Sequence, residues 1–306
     1  MKIVITGSSG LIGTALIASL TEAGDESGSE AGHRVTRLVR SRPRTQAGEA
    51  HWDPAAGEMD ATALEGQDAV VNLAGETIAE RWTAAKKARI RDSRIQGTRL
   101  LCDAMAHLRK RPAVLVNSSA IGYYGDRGAE RLTEDSLPGS GFLADVCREW
   151  EAATAAAAKA GVRVVCLRTG VVLSAAGGAL AKMLPPFRLG LGGRIGSGTQ
   201  FMSWIALDDL VGIVRHALAT PTLAGPVNAV APNPVTNQEF TTTLGKVLGR
   251  PTPFPVPAFA MRLAFGQMAD ELLLGSARVE PQRLAASGYS FRFPDLEAAL
   301  RHVLHR

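Results

Sequence analysis

The chain has 306 residues, 46% hydrophobic and 21% charged, with a net charge of +5. These proportions fit a soluble globular protein with one large core or two modest ones. Aromatics at 5% argue against a base-stacking nucleic-acid surface. Lys and Arg are spread without a dense run, so no polyanion partner is required, and no window reaches the ~18 uninterrupted apolar residues of a membrane span.

Lys2–Ile5 is a β-branched run, expected to be a strand and not a secretion signal. Apolar residues at helical spacing predict a helix over Leu11–Ala23, and the small polar residues Gly24–Gly32 a surface loop. Further strands are expected at Val35–Val39, Ala69–Leu73, Ala113–Asn117 and Val162–Leu167, with helices at Thr83–Arg109 and Ala144–Ala160. Short apolar strands alternating with helices predict an α/β fold, a doubly wound parallel sheet with helices on both faces. After Ser174 the alternation lapses. Gly190–Gly198 is expected to be a loop near a ligand, Pro251–Pro257 an extended connector, and the tail from Ala258 helical.

The first strand flows into Thr6-Gly7-Ser8-Ser9-Gly10-Leu11-Ile12-Gly13. A glycine turn between a strand and a helix is the context of a dinucleotide site. Gly7 permits the tight turn, Gly10 lets a pyrophosphate approach the backbone, and Gly13 lets the helix pack on the sheet. The free amides at Leu11 and Ile12, with Ser9, would meet the phosphates. The end of the second strand selects the cofactor. An NAD site has an acid there for the ribose 2′-hydroxyl, whereas this chain has Val39-Arg40-Ser41-Arg42. A guanidinium can hold a 2′-phosphate, so Arg40, helped by Arg42, predicts NADP(H).

Asn72-Leu73-Ala74-Gly75-Glu76, Ser93-Arg94, Asn117-Ser118-Ser119, Tyr124-Gly125, Leu167-Arg168-Thr169-Gly170 and Ser203-Trp204-Ile205 with Asp208-Asp209 extend the pattern. Together they resemble the extended, epimerase-like branch of the short-chain dehydrogenase/reductase superfamily. "SRIQGTRLL", "PFRLGLGG", "GSGTQFMSWI" and "VEPQRLAASGYSFRFPDLEAAL" narrow the likeness to its atypical NADP-binding, epimerase-like proteins, which carry a C-terminal domain of unknown function. The resemblance implies a Rossmann domain over residues 1–173, to which later segments return, and a smaller C-terminal α/β lobe over 174–306. It implies cofactor contacts from Leu73, Ala74, Gly75, Glu76, Arg94, Ser118 and Arg168, beside those of the glycine turn. It also places the substrate between the two parts, contacted by Gly190–Trp204.

One part of the superfamily pattern is missing. Its Tyr-x-x-x-Lys pair passes a proton to or from the substrate oxygen, with the Lys lowering the Tyr pKa. Here Phe142 or Leu143 stands for the Tyr and Val146 or Cys147 for the Lys, and the usual Ser falls on Ala120. Tyr123, Tyr124 and Ser119 are the candidate catalytic residues. Glu76 is a further candidate acid, unless it caps the helix that follows. Cys102, Cys147 and Cys166 have no paired spacing and are expected to be reduced thiols. The six histidines show no metal spacing, so no metal is expected. The expected activity is that of an NADP(H)-dependent oxidoreductase or epimerase with an atypical site, acting on a small molecule. A non-catalytic NADP(H)-binding sensor or partner-binding protein is the alternative. A cytoplasmic monomer or homodimer, with no nucleic-acid or membrane partner, is expected.

Overall fold

The computed structural model describes residues 1–21, 32–44 and 48–306. The loop expected over residues 24–32, apart from Gly32, and the expected end of the first helix beyond Thr21 lie outside the described residues. β1 (Lys2–Thr6) leads into α1 (Leu11–Thr21), β2 (Arg34–Val39), β3 (Glu49–Asp53), β4 (Glu58–Met59) and β5 (Ala69–Asn72). Next come α2 (Ala84–His107), β6 (Val114–Ala120), a 3-10 turn at Ile121–Tyr124, β7 (Arg131–Leu132), α3 (Phe142–Ala152), α4 (Ala155–Lys159), β8 (Arg163–Thr169) and β9 (Val171–Leu173). Then follow α5 (Gly178–Arg188), β10 (Phe201–Met202), β11 (Trp204–Ala206), α6 (Leu207–Ala219), β12 (Gly225–Ala229), β13 (Val235–Thr236) and α7 (Asn237–Leu248). The chain ends with α8 (Ala258–Phe265), a π-helical turn at Ala269–Leu274, β14 (Arg278–Val279), α9 (Gln282–Ala286) and α10 (Leu296–Val303).

Among the described residues, eight strands form the main sheet in the order β12-β8-β6-β5-β1-β2-β3-β4. All neighbours are parallel except β3 and β4. This is the doubly wound α/β architecture predicted from the alternating pattern. The order reverses at β1, whose neighbours are β2 and β5, so a crevice opens at their carboxyl ends. Alternation along β1 sends Ile3 and Ile5 to one buried cluster and Val4 to the other, which gives the sheet two apolar faces. α1, α5, α6, α7 and α10 close the first face, and α2 and α4 close the second.

Three local features go beyond or differ from the sequence reading. β3 reads "EAHWD", half polar, yet Glu49 is buried against Arg44 and Arg37, and Ala50 and Trp52 join the core. The helix expected over Ala144–Ala160 breaks after Ala152, where the Thr154 hydroxyl donates back to the Glu151 carbonyl. α5 forms through "LPPFR" although Pro185 and Pro186 lie inside it. The segment 190–198 carries no helix or strand and meets Pro251–Pro257 through one bridge, Ile195 to Val256. Its glycines fit against protein. A Cβ on Gly193 would lie 1.7 Å from the Phe254 carbonyl oxygen, and one on Gly192 would lie 2.6 Å from the Phe187 ring.

The C-terminal motif docks on α6. Asp209, fully buried, accepts hydrogen bonds from the Tyr289 hydroxyl and from the backbone N–H groups of Arg292 and Phe293. Among the described residues no helix is long and apolar enough to cross a membrane.

Candidate functional site

The crevice is built first by glycines. Gly7 sits at φ +65°, and a Cβ there would lie 2.7 Å from the Leu73 carbonyl carbon and oxygen. At Gly13 a Cβ would lie 2.3 Å from the Gly7 carbonyl oxygen. Both positions are forced by the protein itself. Gly10 differs: a Cβ there would meet the Gly7 oxygen at 3.3 Å and nothing else within 4 Å outside its chain neighbours. Gly10 and Ser9 are exposed, and Leu11 and Ile12 are half-buried at the start of α1, where the first amides have no helical partner. The turn therefore offers donors and a bare backbone to open space, which fits a diphosphate.

Thr6 fixes the opposite wall. Its hydroxyl donates to Asn72 Oδ1 (2.6 Å) and accepts from the N–H groups of Leu73 (3.1 Å) and Ala74 (3.2 Å). Asn72 donates onward to Asn117 (2.7 Å) and Thr98 (2.9 Å), and Thr98 also accepts from Trp150 Nε1. This buried network ties the carboxyl ends of β1, β5 and β6 to α2 and α3. Gly75 and Glu76 continue the wall over Arg94, whose Nη1 donates to the carbonyls of Glu76 and Ile90 while its guanidinium stacks 5.0 Å from the Trp150 ring. Burial lowers the Arg94 pKa, and no carboxylate forms an ion pair with it among the described residues. Ser118 is half-buried at the end of β6.

Arg40 and Arg42 are exposed just past β2, and neither forms an ion pair or side-chain hydrogen bond among the described residues. By contrast, Arg44 is bound to Glu49. Glu76 lies near enough to Arg40 to feel its charge, although Lys86, at 2.7 Å, is the main cause that holds the Glu76 carboxyl below its ordinary value. This corrects two expectations. Glu76 is ionised by its lysine, so it is no proton donor at neutral pH. Nor does it cap α2, which Thr83 does.

The catalytic candidates separate. Tyr124 is completely buried: its hydroxyl accepts from Arg168 and shares its one proton between Asn228 Oδ1 (2.6 Å) and the Thr133 carbonyl (3.0 Å). Burial pushes its pKa up to about 12. Ser119 is buried and donates to Glu151 Oε1 at 2.7 Å. Both therefore belong to the core, which corrects their reading as proton donors. Tyr123 is half-buried, and its hydroxyl forms no hydrogen bond among the described residues.

Arg168 needs the same correction. It grips both Glu151 oxygens at 2.8 Å, donates to Tyr124 and to the Glu134 carbonyl, and is 3% exposed. Burial opposes its charge, but the Glu151 carboxylate outweighs burial and raises its pKa. Its donors are spent inside the protein, so it is not free for a cofactor. Trp204 and Ser203, expected at the substrate, are both fully buried, donating to the carbonyls of Asn233 and Ala277.

Leu143 and Cys147, one turn apart on α3, face the turn 121–124: a Cβ on Gly122 would lie 3.2 Å from Leu143 Cβ and 3.8 Å from Cys147 Sγ. Burial pushes the Cys147 thiol up to about 12, so it is inert as a nucleophile. No group of three or more metal-ligating side chains occurs among the described residues. A cavity of about 490 Å³, lined by Thr133, Glu280, Pro281, Tyr289 and Phe291 among others, shares no residue with the glycine turn.

Sequence reasoning assigned no role to Thr6, Thr98, Trp150 or Glu151. The partners named above lie 17 to 68 residues away along the chain, and no local spacing signals such pairs.

Residues 3–230 match the NAD dependent epimerase/dehydratase family, and residues 256–303 match a domain of unknown function, DUF1731. An epimerase family protein of Mycobacterium bovis is 48% identical over 305 residues, covering 99% of this chain and 98% of that protein. The human epimerase family protein SDR39U1 is 39% identical over 308 residues, covering 99% and 100%. A crystal structure of the human protein with NADPH superposes with a TM-score of 0.89 at 38% identity over the whole of both chains. That of a nucleoside-diphosphate sugar epimerase from Corynebacterium glutamicum gives 0.79 at 40% identity, covering 99% of this chain and 58% of that one. The chain belongs to the NAD-dependent epimerase/dehydratase family.

Proposed function

We propose that the chain binds NADP(H) in the crevice between β1, β2 and β5 and acts on a small-molecule alcohol or carbonyl as an oxidoreductase or epimerase. The observation that carries this reading is Gly10, whose missing side chain leaves open space where Gly7 and Gly13 are each fitted against protein. The relative crystallised with NADPH, 38% identical over its whole length, supports the same choice. Gly7, Ser9, Gly10, Leu11, Ile12 and Gly13 would cradle the diphosphate, and Leu73, Ala74, Gly75, Glu76 and Ser118 would wall the cofactor through backbone and small side chains. Arg94 would bring an unneutralised guanidinium to that wall. Arg40, with Arg42, would hold the 2′-phosphate.

When bound, NADPH supplies a hydride. This chain's part is to orient the carbonyl and to give its oxygen a proton. Tyr123 is the candidate whose hydroxyl is unengaged, and it stands on the turn after β6. Titration calorimetry with NADPH and NADH tests the cofactor reading: NADPH should bind more tightly, and equal affinities would overturn the assignment of Arg40.

A second reading, an NADP(H)-binding protein without turnover, is favoured by one observation. The residues read at the dyad positions, Phe142 or Leu143 and Val146 or Cys147, offer no proton donor, and Cys147 is buried with its thiol pushed up to about 12. Screening aldehydes, ketones and sugar nucleotides both for NADPH oxidation and for epimerised product separates the two readings.

A further inference from the structure

α8 has the sequence AFAMRLAF, and none of its residues is buried. A helix apolar on most sides is ordinarily covered by something. Of the seven large apolar residues that stand exposed among the described residues, five belong to α8 and the segments beside it: Phe259, Leu263, Phe254, Leu189 and Leu191. Phe259 and Leu263, one turn apart, are 71% and 77% exposed.

These segments are held together by backbone contacts. Val256 N–H donates to the Arg194 carbonyl at 2.8 Å, and Gly196 N–H donates to the Val256 carbonyl at 2.9 Å. Cβ atoms built on Gly190 and Gly196 would lie 3.8 Å from Pro251 and 3.7 Å from Ala258 Cβ, respectively. At its C-terminal end α8 is braced by Arg81, which donates to the Leu263 carbonyl at 3.0 Å.

Cations outnumber anions on this face: the acids of the adjoining turn, Asp270 and Glu271, are held by Arg262 and by the backbone N–H groups of Phe142 and Leu143. Residues 186–198 and 250–266 contain Arg188, Arg194, Arg250 and Arg262 and no Asp or Glu. Arg262 is paired with Asp270, and Arg194 is turned onto the carbonyls of its own loop. Arg188 and Arg250 are exposed and form no ion pair among the described residues. An apolar projection flanked by unneutralised arginines is complementary to an anionic amphiphile. A second copy of the chain fits less well, because a two-fold contact would set one arginine-bearing face against another.

We propose that α8, with Phe254, Leu189 and Leu191, is a peripheral docking face for an anionic phospholipid surface. Phe259 and Leu263 enter the headgroup boundary, and Arg188 and Arg250 meet the phosphates. Such contact lies on the membrane and needs no spanning helix.

The test is co-sedimentation of the full chain with phosphatidylglycerol vesicles and with phosphatidylcholine vesicles. Wild type should bind the first and bind the second far more weakly. Arg188→Ser with Arg250→Ser should weaken binding roughly thirtyfold, at about fivefold per arginine. Phe259→Ser with Leu263→Ser should abolish it, while circular dichroism and NADPH affinity stay those of wild type. Absence of wild-type sedimentation overturns the proposal, as does unchanged sedimentation of the Phe259→Ser, Leu263→Ser variant. A wild-type dimer that this variant converts to monomer, with no vesicle binding by either, assigns the face to a second copy.

Discussion

Arg168 lies flat against Tyr123, its guanidinium carbon 3.5 Å from the ring centroid, while the same group is locked to Glu151 below. The ring is thus held in place by a cation that cannot move, and the hydroxyl is left without an internal partner. The geometry favours Tyr123 over its neighbour as a proton donor. Tyr123→Phe should leave NADPH affinity and melting temperature near wild type. Once a substrate is known, it should lower kcat by ~10²–10⁴-fold, the usual worth of a positioned acid. Full kcat in this variant would move the role to another group.

Tyr124→Phe should behave in the opposite way. It strips a partner from the buried Asn228 and Arg168, so it should cost about 1–3 kcal/mol of stability. Glu151→Ala should cost more, about 3–5 kcal/mol, because it leaves the buried Arg168 charge unpaired. Urea denaturation of both variants measures this order. A Glu151→Ala protein as stable as wild type would mean that the pair is not a core element.

The two kinds of glycine can be told apart. Gly10→Val should abolish NADPH binding with the fold retained, because its side chain projects into open crevice. Gly13→Val should unfold or severely destabilise the protein, because its Cβ meets the Gly7 carbonyl oxygen at 2.3 Å. Circular dichroism and calorimetry on both variants decide. Normal NADPH affinity in a folded Gly10→Val protein would place the diphosphate elsewhere.

Arg40→Asp should narrow or invert the preference for NADPH over NADH. A charged contact to the 2′-phosphate contributes about 1.5–3 kcal/mol, roughly ten- to hundredfold in affinity. Calorimetry with both cofactors checks it, and an unchanged ratio would leave Arg42 as the candidate.

Acid should weaken the β2–β3 edge. Hydrogen bonds from the Arg44 side chain, then from its backbone N–H, hold the Glu49 carboxyl down at about 2, against an ordinary value of 4.5. A depressed carboxyl stabilises the fold above its unfolded pKa and loses that contribution as pH falls through its folded value. The loss should therefore fall between about pH 4.5 and pH 2. Glu49→Gln should flatten melting temperature against pH across that window. A parallel curve for the variant would show that other carboxylates dominate.

Much of the Rossmann half was legible because its signals are local. The run Ile3–Ile5, the glycine spacing and the absent acid after β2 each need only a few adjacent residues to be read. The helix at Ala84–His107 was also legible, since Thr83 begins it and its length is unbroken. What escaped depends on distant partners. Glu49 and His51 interrupt the apolar pattern of β3, and only the fold shows Arg44 and Arg37 beside Glu49. Arg168 reads as a cofactor ligand by its motif, and only the fold reveals that Glu151 has taken its donors. Ser203 and Trp204 read as substrate contacts, yet both are covered when β11 pairs with β9 and β14 settles beside it. The glycines of 190–198 suggested ligand space, whereas Gly192 and Gly193 are small so that Phe187 and Phe254 can approach.

The clasp between Asp209 and residues 289–293 bears on how the protein is made. α6 packs on the sheet through side chains present by residue 219, but its buried carboxyl group waits for donors that lie 80 to 84 residues further along the chain. Until then a polar group faces the interior without those donors, and that state is costly. The sheet can therefore assemble during translation but locks against α6 only once residues 289–293 have emerged. A nascent chain stalled before Tyr289 should remain open to protease around α6, although the residues of every strand in the main sheet have already been synthesised.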